Sequence, residues 1–319
     1  MKPPRLERSS TRSFRLLRAL LSRRRWHLPK RGFNLQKDGK PIFPRLNLGA
    51  YSDERVVEEV FDGDLTVASI SGNCKVTLES RLGSITINHK IERGAYAKLK
   101  AAGTVTIGED IEQHSIVQIV AGGDVTIGQT INENSQATIT STAGKIDIGS
   151  KIDNYSEARL TAGTTVHIGQ DIDQRSTAFI TAQGDVTIEG NINRHANVNI
   201  ISLHGAISLG RMVKDSIASL TAGTTVHIAD KLDQHSQVTV LAQRDVTIGE
   251  TIDRHSAATI TSVNGSINIG RGLSGSAIAT LIALNGSINM IGPVDRGATF
   301  NWNAQYLNCL REDGTFNQI

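Results

Sequence analysis

Large rings are scarce in this chain: aromatic residues make up 4% of its 319 residues, and its two tryptophans, Trp26 and Trp302, lie near opposite ends. A thin interior has no room for many such rings, whereas cores of ordinary thickness draw heavily on them. Cysteine is limited to Cys74 and Cys309, far apart in sequence, which excludes a disulfide framework. There is no paired CxxC, no phosphate-binding glycine loop opening a helix and no Gly-x-Ser-x-Gly elbow. No apolar run is long enough to span a bilayer as a helix, and no secretory signal peptide is expected. Apolar residues also fail to recur at three- and four-residue spacing, which excludes an amphipathic helical reading of most of the chain.

What the chain does have is a repeat of about twenty residues, present twelve times. Most copies carry a Gly-x-(Val/Ile)-x-(Ile/Leu) core or a close variant of it. Its second apolar residue falls at Val67, Ile87, Ile107, Ile127 and so on to Met290, at gaps of 19 to 21 residues. Repetition at that period is the mark of a solenoid, one coil per copy. Within a copy, Val125 and Ile127 alternate with polar residues. Ile131 then stands alone, and Ala137, Ile139 and Ser141 alternate with Gln136, Thr138 and Thr140. Period-2 alternation predicts two short strands per coil, each with one buried face. The fold class read from this is all-β: a single parallel β-solenoid, expected to be right-handed, over residues 63–300. Its cross-section is open between two-sided and triangular. Stacked strands would give it a length of about 55–60 Å. A glycine follows the core in Gly108, Gly128, Gly149, Gly169, Gly210, Gly249 and Gly270. The expectation is a corner with positive φ there, which Glu189 and Ala229 would not easily adopt.

One corner repeats the pattern apolar, Asp/Asn, x, x, Ser/Ala, as in Ile172-Asp173-Gln174-Arg175-Ser176 and Leu232-Asp233-Gln234-His235-Ser236. Turn chemistry explains it first, because Asp and Asn bond nearby backbone amides and a small Ser fits the bend. The best-matched neighbouring copies put Asp233, His235, Asp253 and His255 in a two-by-two patch. Asp and His are suitable divalent-cation ligands when they converge, so these four are the candidate metal residues. Paired carboxylates on stacked coils are also what a polysaccharide-cleaving enzyme would use as acid and base. His167 and His227 point outward three coils apart, too far to share a ligand, within a column otherwise rich in Thr. No cofactor and no catalytic residue is expected.

Residues 1–45 are a different object. They hold fourteen of the 34 Lys and Arg but two of the 31 Asp and Glu, a net of +12, against −9 for the remainder. Apolar residues sit among the charges. An amphipathic or disordered arm is expected, with Arg15, Leu17, Arg18, Leu21, Arg23, Arg24, Arg25 and Trp26 as contacts for an anionic membrane surface or a protein partner. The same composition suits a targeting or export signal. Nucleic acid is not an expected partner, since only Phe14 and Trp26 accompany the arginine-rich run for base stacking. Residues 46–62 and 301–319 are expected to cap the solenoid, the first through Glu54, Glu58 and Glu59, the second through Trp302 and Tyr306 with Phe300 just before that segment. Association through the coil ends remains open.

The Gly-Asp-Val-Thr-Ile-Gly copy at residues 123–128 and the related Gly184–Ile188 resemble bacterial β-solenoid repeats of the bactofilin-like cytoskeletal proteins and of flagellar assembly protein A. The likeness extends over residues 63–300 and carries no functional residues with it. A bactofilin-like kinship implies end-to-end filaments and membrane association through the N-terminus. The residues themselves favour a non-catalytic interaction or scaffold protein, one form of which is a secreted bacterial effector or surface protein addressed by its basic arm. A self-assembling cytoskeletal element and a polysaccharide-active β-helix enzyme are the alternatives. Expected locations are the cytoplasm, a membrane periphery, or outside the cell by a contact-dependent bacterial route.

Overall fold

The computed structural model describes residues 36–37, 40–41, 45–52, 56–310 and 316–318. The chain divides into a unit ending at Ile42 and a unit from Phe43 onward. In the first, Gln36–Lys37 pairs antiparallel with Lys40–Pro41. The second is the solenoid: all-β, with strands paired in parallel through about thirteen turns. Among the described residues no helix is long and apolar enough to cross a membrane.

Three ladders run along it. A six-residue long strand, such as Gln136–Ser141, pairs with its equivalent 21 residues on, Glu157–Ala162. A three-residue short strand, such as Val125–Ile127, pairs likewise with Ile146–Ile148. Between them a single apolar residue forms its own column of parallel bridges, Ile111 to Ile131 to Ile152 to Ile172. The coil therefore has three sides, and the solitary apolar residue at Ile131 is the third. Register makes like sit on like: Ile107, Ile127, Ile148, Ile168 and Ile188 are stacked and sealed from solvent. Each such side chain contributes on the order of 2 kcal/mol by burial. The neighbouring coils satisfy both edges of the strand, so the backbone polar groups of an interior coil are paired as well.

The ladders run into both stretches expected as caps. Arg45–Leu48 pairs with Asp64–Val67, and Val56–Phe61 with Lys75–Ser80. At the other end Thr299–Leu310 pairs in parallel with Ile278–Met290, and Phe316–Gln318 adds an antiparallel strand to it. These segments are rungs of the solenoid as well as its ends.

The glycine column departs from expectation. Gly108, Gly128, Gly149, Gly169, Gly210, Gly249 and Gly270 are not in the left-handed region. What requires them is closeness of backbone: a Cβ on Gly128 would collide with the carbonyl oxygen of Gly108. Glu189 and Ala229 stand in the same column with ordinary φ, so the close approach is not imposed at every coil. Positive φ belongs to the other corner, where in eight copies it falls on pairs of residues that are not glycine and in three on a pair with one glycine, at Gly72, Gly94 and Gly275. Examples are Glu133 and Asn134 (φ 53° and 59°), Gln234 and His235 (53° and 61°), and Arg254 and His255 (46° and 62°). Two successive positive φ values are the signature of a type I′ turn. The closing hydrogen bond is present, from Ser176 N–H to Asp173 O at 3.1 Å and from Ser256 N–H to Asp253 O at 3.1 Å.

Candidate interaction surface

The turn corner is built from its Asp outward. In four copies the Asp carboxylate accepts the amide of the next residue: Asp153 from Asn154, Asp173 from Gln174, Asp233 from Gln234 and Asp253 from Arg254, at 2.6–2.7 Å. That amide begins the left-handed pair, so the side chain holds the turn open. The next amide reaches along the solenoid instead, as from His235 N–H to Arg254 O at 3.0 Å. Where a Ser ends the turn it is buried, and its hydroxyl lies in a column within the coil: Ser135 N–H donates to Ser156 Oγ at 3.2 Å, and Ser236 meets Ser256 at 3.3 Å. In the copies that carry Asn, the side-chain oxygens of Asn132 and Asn193 are buried with no partner.

This geometry separates the four candidate metal residues. His235 and His255 do come together, with parallel rings whose centroids are 5.0 Å apart. Asp233, however, is buried beneath them, with Lys231 Nζ at 3.0 Å and Arg254 Nε at 3.6 Å. Asp253 is turned onto the Arg254 amide. Among the described residues, no group of three or more His, Cys, Asp and Glu is placed to hold a metal ion. The stacked imidazoles instead line an open hollow with Lys214, Asp215, Gln234 and Arg254. The eight arm residues Arg15, Leu17, Arg18, Leu21, Arg23, Arg24, Arg25 and Trp26 lie outside the described residues.

The short-strand side carries charge in small closed groups. His167 bridges two carboxylates, Asp147 at 2.9 Å and Glu189 at 3.1 Å. The Asp147 hydrogen bond raises the imidazole above its ordinary pKa; burial opposes this, and Glu189 adds to it. Burial pushes Asp147 up, but its bonds to His167 and Lys145 outweigh that and hold it below the usual carboxylate value. On the third side, beside the bridge column of Ile91 and Ile111, Lys90 lies 3.0 Å from both Asp110 and Glu112. Its pKa is raised, first by the Glu112 hydrogen bond and then by Asp110. Near the C-terminal end the column becomes an amide ladder, with Asn289 donating to Asn268 at 2.7 Å and Asn308 to Asn289 at 2.8 Å.

The long-strand side differs from both. Its outward positions are the first, third and fifth of each strand. Toward the N-terminus these include Lys75, Glu79, Lys98, Lys100, Glu157 and Arg159. From Thr177 to Asn303 they comprise 21 positions on seven successive strands, and none is charged. The chain's 20% share of charged residues would place about four there, and an ordinary surface more. All seventeen Asp, Glu, Lys and Arg residues between 177 and 303 lie on turns or other sides of the coil. In place of charge the face carries Thr, Asn, Ser and exposed apolar residues, among them Phe179 (39% exposed), Ile217 (47%), Leu241 (41%) and Ile278 (51%). The signal was present in the sequence, in the outward residues of the second strand. It emerges only when those residues are read down the column rather than along the strand.

No model of a known protein family matches the chain, and searches of curated proteins and of solved structures return no match.

Proposed function

We propose that this protein is a non-catalytic interaction or scaffold protein, and that its working surface is the charge-free half of the long-strand side. The observation that carries this is the selective placement of charge: the same coils that keep all 21 outward positions neutral carry seventeen charged residues elsewhere. Sheets exposed to water ordinarily use charge to discourage contact, and a large neutral patch with apolar side chains marks a surface that is covered in use. The corner carboxylates support a structural role for that ridge, since Asp233 and Asp253 are both committed to turn amides. The basic arm, residues 1–45, would tether or address the solenoid to an anionic membrane or an acidic partner.

Hydroxyl-radical footprinting tests the surface. In an extract of the cells that make the protein, Phe179, Leu241 and Ile278 should be protected relative to dilute purified protein, while Leu82 and Tyr155, exposed elsewhere, should label equally in both. Equal labelling of all five would remove the proposal.

A further inference from the structure

On the reading that this neutral side is a contact surface, we propose that its occupant is a second copy of the chain, packed face to face about a two-fold axis. A two-fold interface brings the same patch to both sides. Any charge near the axis meets itself, which costs several kcal/mol in like-charge contact. A face without charge is the one that can pack on itself. Size agrees with this. Seven strands at their usual spacing and six residues of width give about 30 Å by about 20 Å, so both copies together cover about 1,200 Å², within the range of specific interfaces.

The position of the charges fixes the arrangement further. The middle strand of the neutral stretch is Gln237–Ala242, and the stretch runs to the last long strand, Thr299–Leu310. An axis through Thr239 lays the strand Thr177–Ala182 of one copy over the strand Thr299–Leu310 of the other. The first charged strand beyond it, Glu157–Ala162, then falls past the end of the partner. At that boundary Arg159 lies over the Phe179 ring at 4.5 Å and is paired with Glu157. The charged strand Glu157–Ala162 bounds the overlap, and the uncharged strands Ile116–Ala121 and Gln136–Ser141 lie beyond it, outside the contact. The register is unbroken across all seven strands and shifts only after Ala283, beyond the outward positions. The two faces are therefore regular enough to meet along their length.

Sedimentation equilibrium on the full chain is the test. The expected result is a reversible dimer at micromolar concentration. Thr239→Lys, which sets two ammonium groups against each other at the axis, should weaken it by about a hundredfold or more. Thr126→Lys on the short-strand side should leave it unchanged. As a readout that needs no loss of function, Thr239→Cys in a Cys309→Ser background should be joined to the second copy by a thiol cross-linker spanning about 10 Å, and Lys98→Cys should not. A chain that stays monomeric across the range, or a dimer indifferent to Thr239→Lys, overturns the proposal. A monomer whose neutral side is nonetheless protected in the cell extract removes the second copy but leaves the contact surface. Loss of protection there removes the surface itself.

Discussion

His167 shows how a side chain the sequence marks as outward acquires a fixed role. It stands between Asp147 and Thr187 in a column otherwise rich in Thr, and closes onto Asp147 and Glu189. Its raised pKa is linked to stability. The contribution is fully present below the ordinary imidazole value and is lost as pH rises through the raised one. Thermal unfolding followed between pH ~5 and ~8 should therefore show a decline that His167→Thr flattens. Identical slopes for the two proteins would refute the linkage. At Asp233 the expectation concerns stability alone. Asp233→Ala removes the cap on the Gln234 amide and leaves Lys231 facing an empty site, a loss of about 1–3 kcal/mol measured by denaturation. These roles were only half legible. Twenty-residue spacing places Asp233, His235, Asp253 and His255 on one corner. It does not say that a left-handed pair will turn the imidazoles outward while the carboxylates fold back onto the backbone. Only the Asp-x-x-Ser pattern hints at it, and that pattern does not fix φ.

The turn is the element on which the solenoid spends conformational strain. A non-glycine residue in the left-handed region costs roughly 1–2 kcal/mol, and eight corners from Gln113–His114 to Arg254–His255 hold two each. Offsetting this are the closing turn bond, the Asp-to-amide bond where Asp is present, and the coil-to-coil bond from the second residue of the pair. Glycine would relieve the strain and lose about 0.5–1 kcal/mol through its freer unfolded state. Glu133→Gly is therefore expected to stabilise by roughly 0.5–1 kcal/mol, whereas Glu133→Val should destabilise, since a β-branched residue fits that region worst. A melting temperature that falls for both would show that the Glu133 side chain, not its backbone, matters. The glycine column behaves in the opposite way. Gly128→Val should destabilise its coil, because a Cβ there meets the carbonyl oxygen of Gly108 and the backbone must shift to admit it. From sequence alone the two kinds of corner were exchangeable. Glycine suggested the positive φ, yet it serves close approach, and the strained positions carry Gln, His, Arg and Tyr.

Along the whole solenoid the central column of the long strands reads Leu78, Leu99, Ile119, Ile139 and onward to Leu281, a large aliphatic at every rung. Its period made the fold legible from sequence. The column begins with Glu59, opposite Leu78, and ends with Trp302, opposite Leu281. An inward carboxylate at one terminal rung and an indole at the other would oppose end-to-end addition, because a second molecule would have to bury one against the other. Burial raises the Glu59 pKa, and the Tyr51 hydroxyl nearby is pushed up to about 12, first by burial and then by the Glu59 charge. A raised carboxyl favours the fold below its ordinary value, and that contribution is lost as pH climbs through the raised one. At neutral pH Glu59 therefore opposes stability. Glu59→Gln should raise the neutral melting temperature while leaving the chain's association state unchanged. Glu59→Leu should raise it too and, by continuing the aliphatic column to the first rung, also promote end-on association visible by sedimentation velocity. That association should survive Thr239→Lys, because it uses the end of the solenoid and not its neutral side. If Glu59→Leu neither stabilises nor associates, the terminal carboxylate is not what limits the stack.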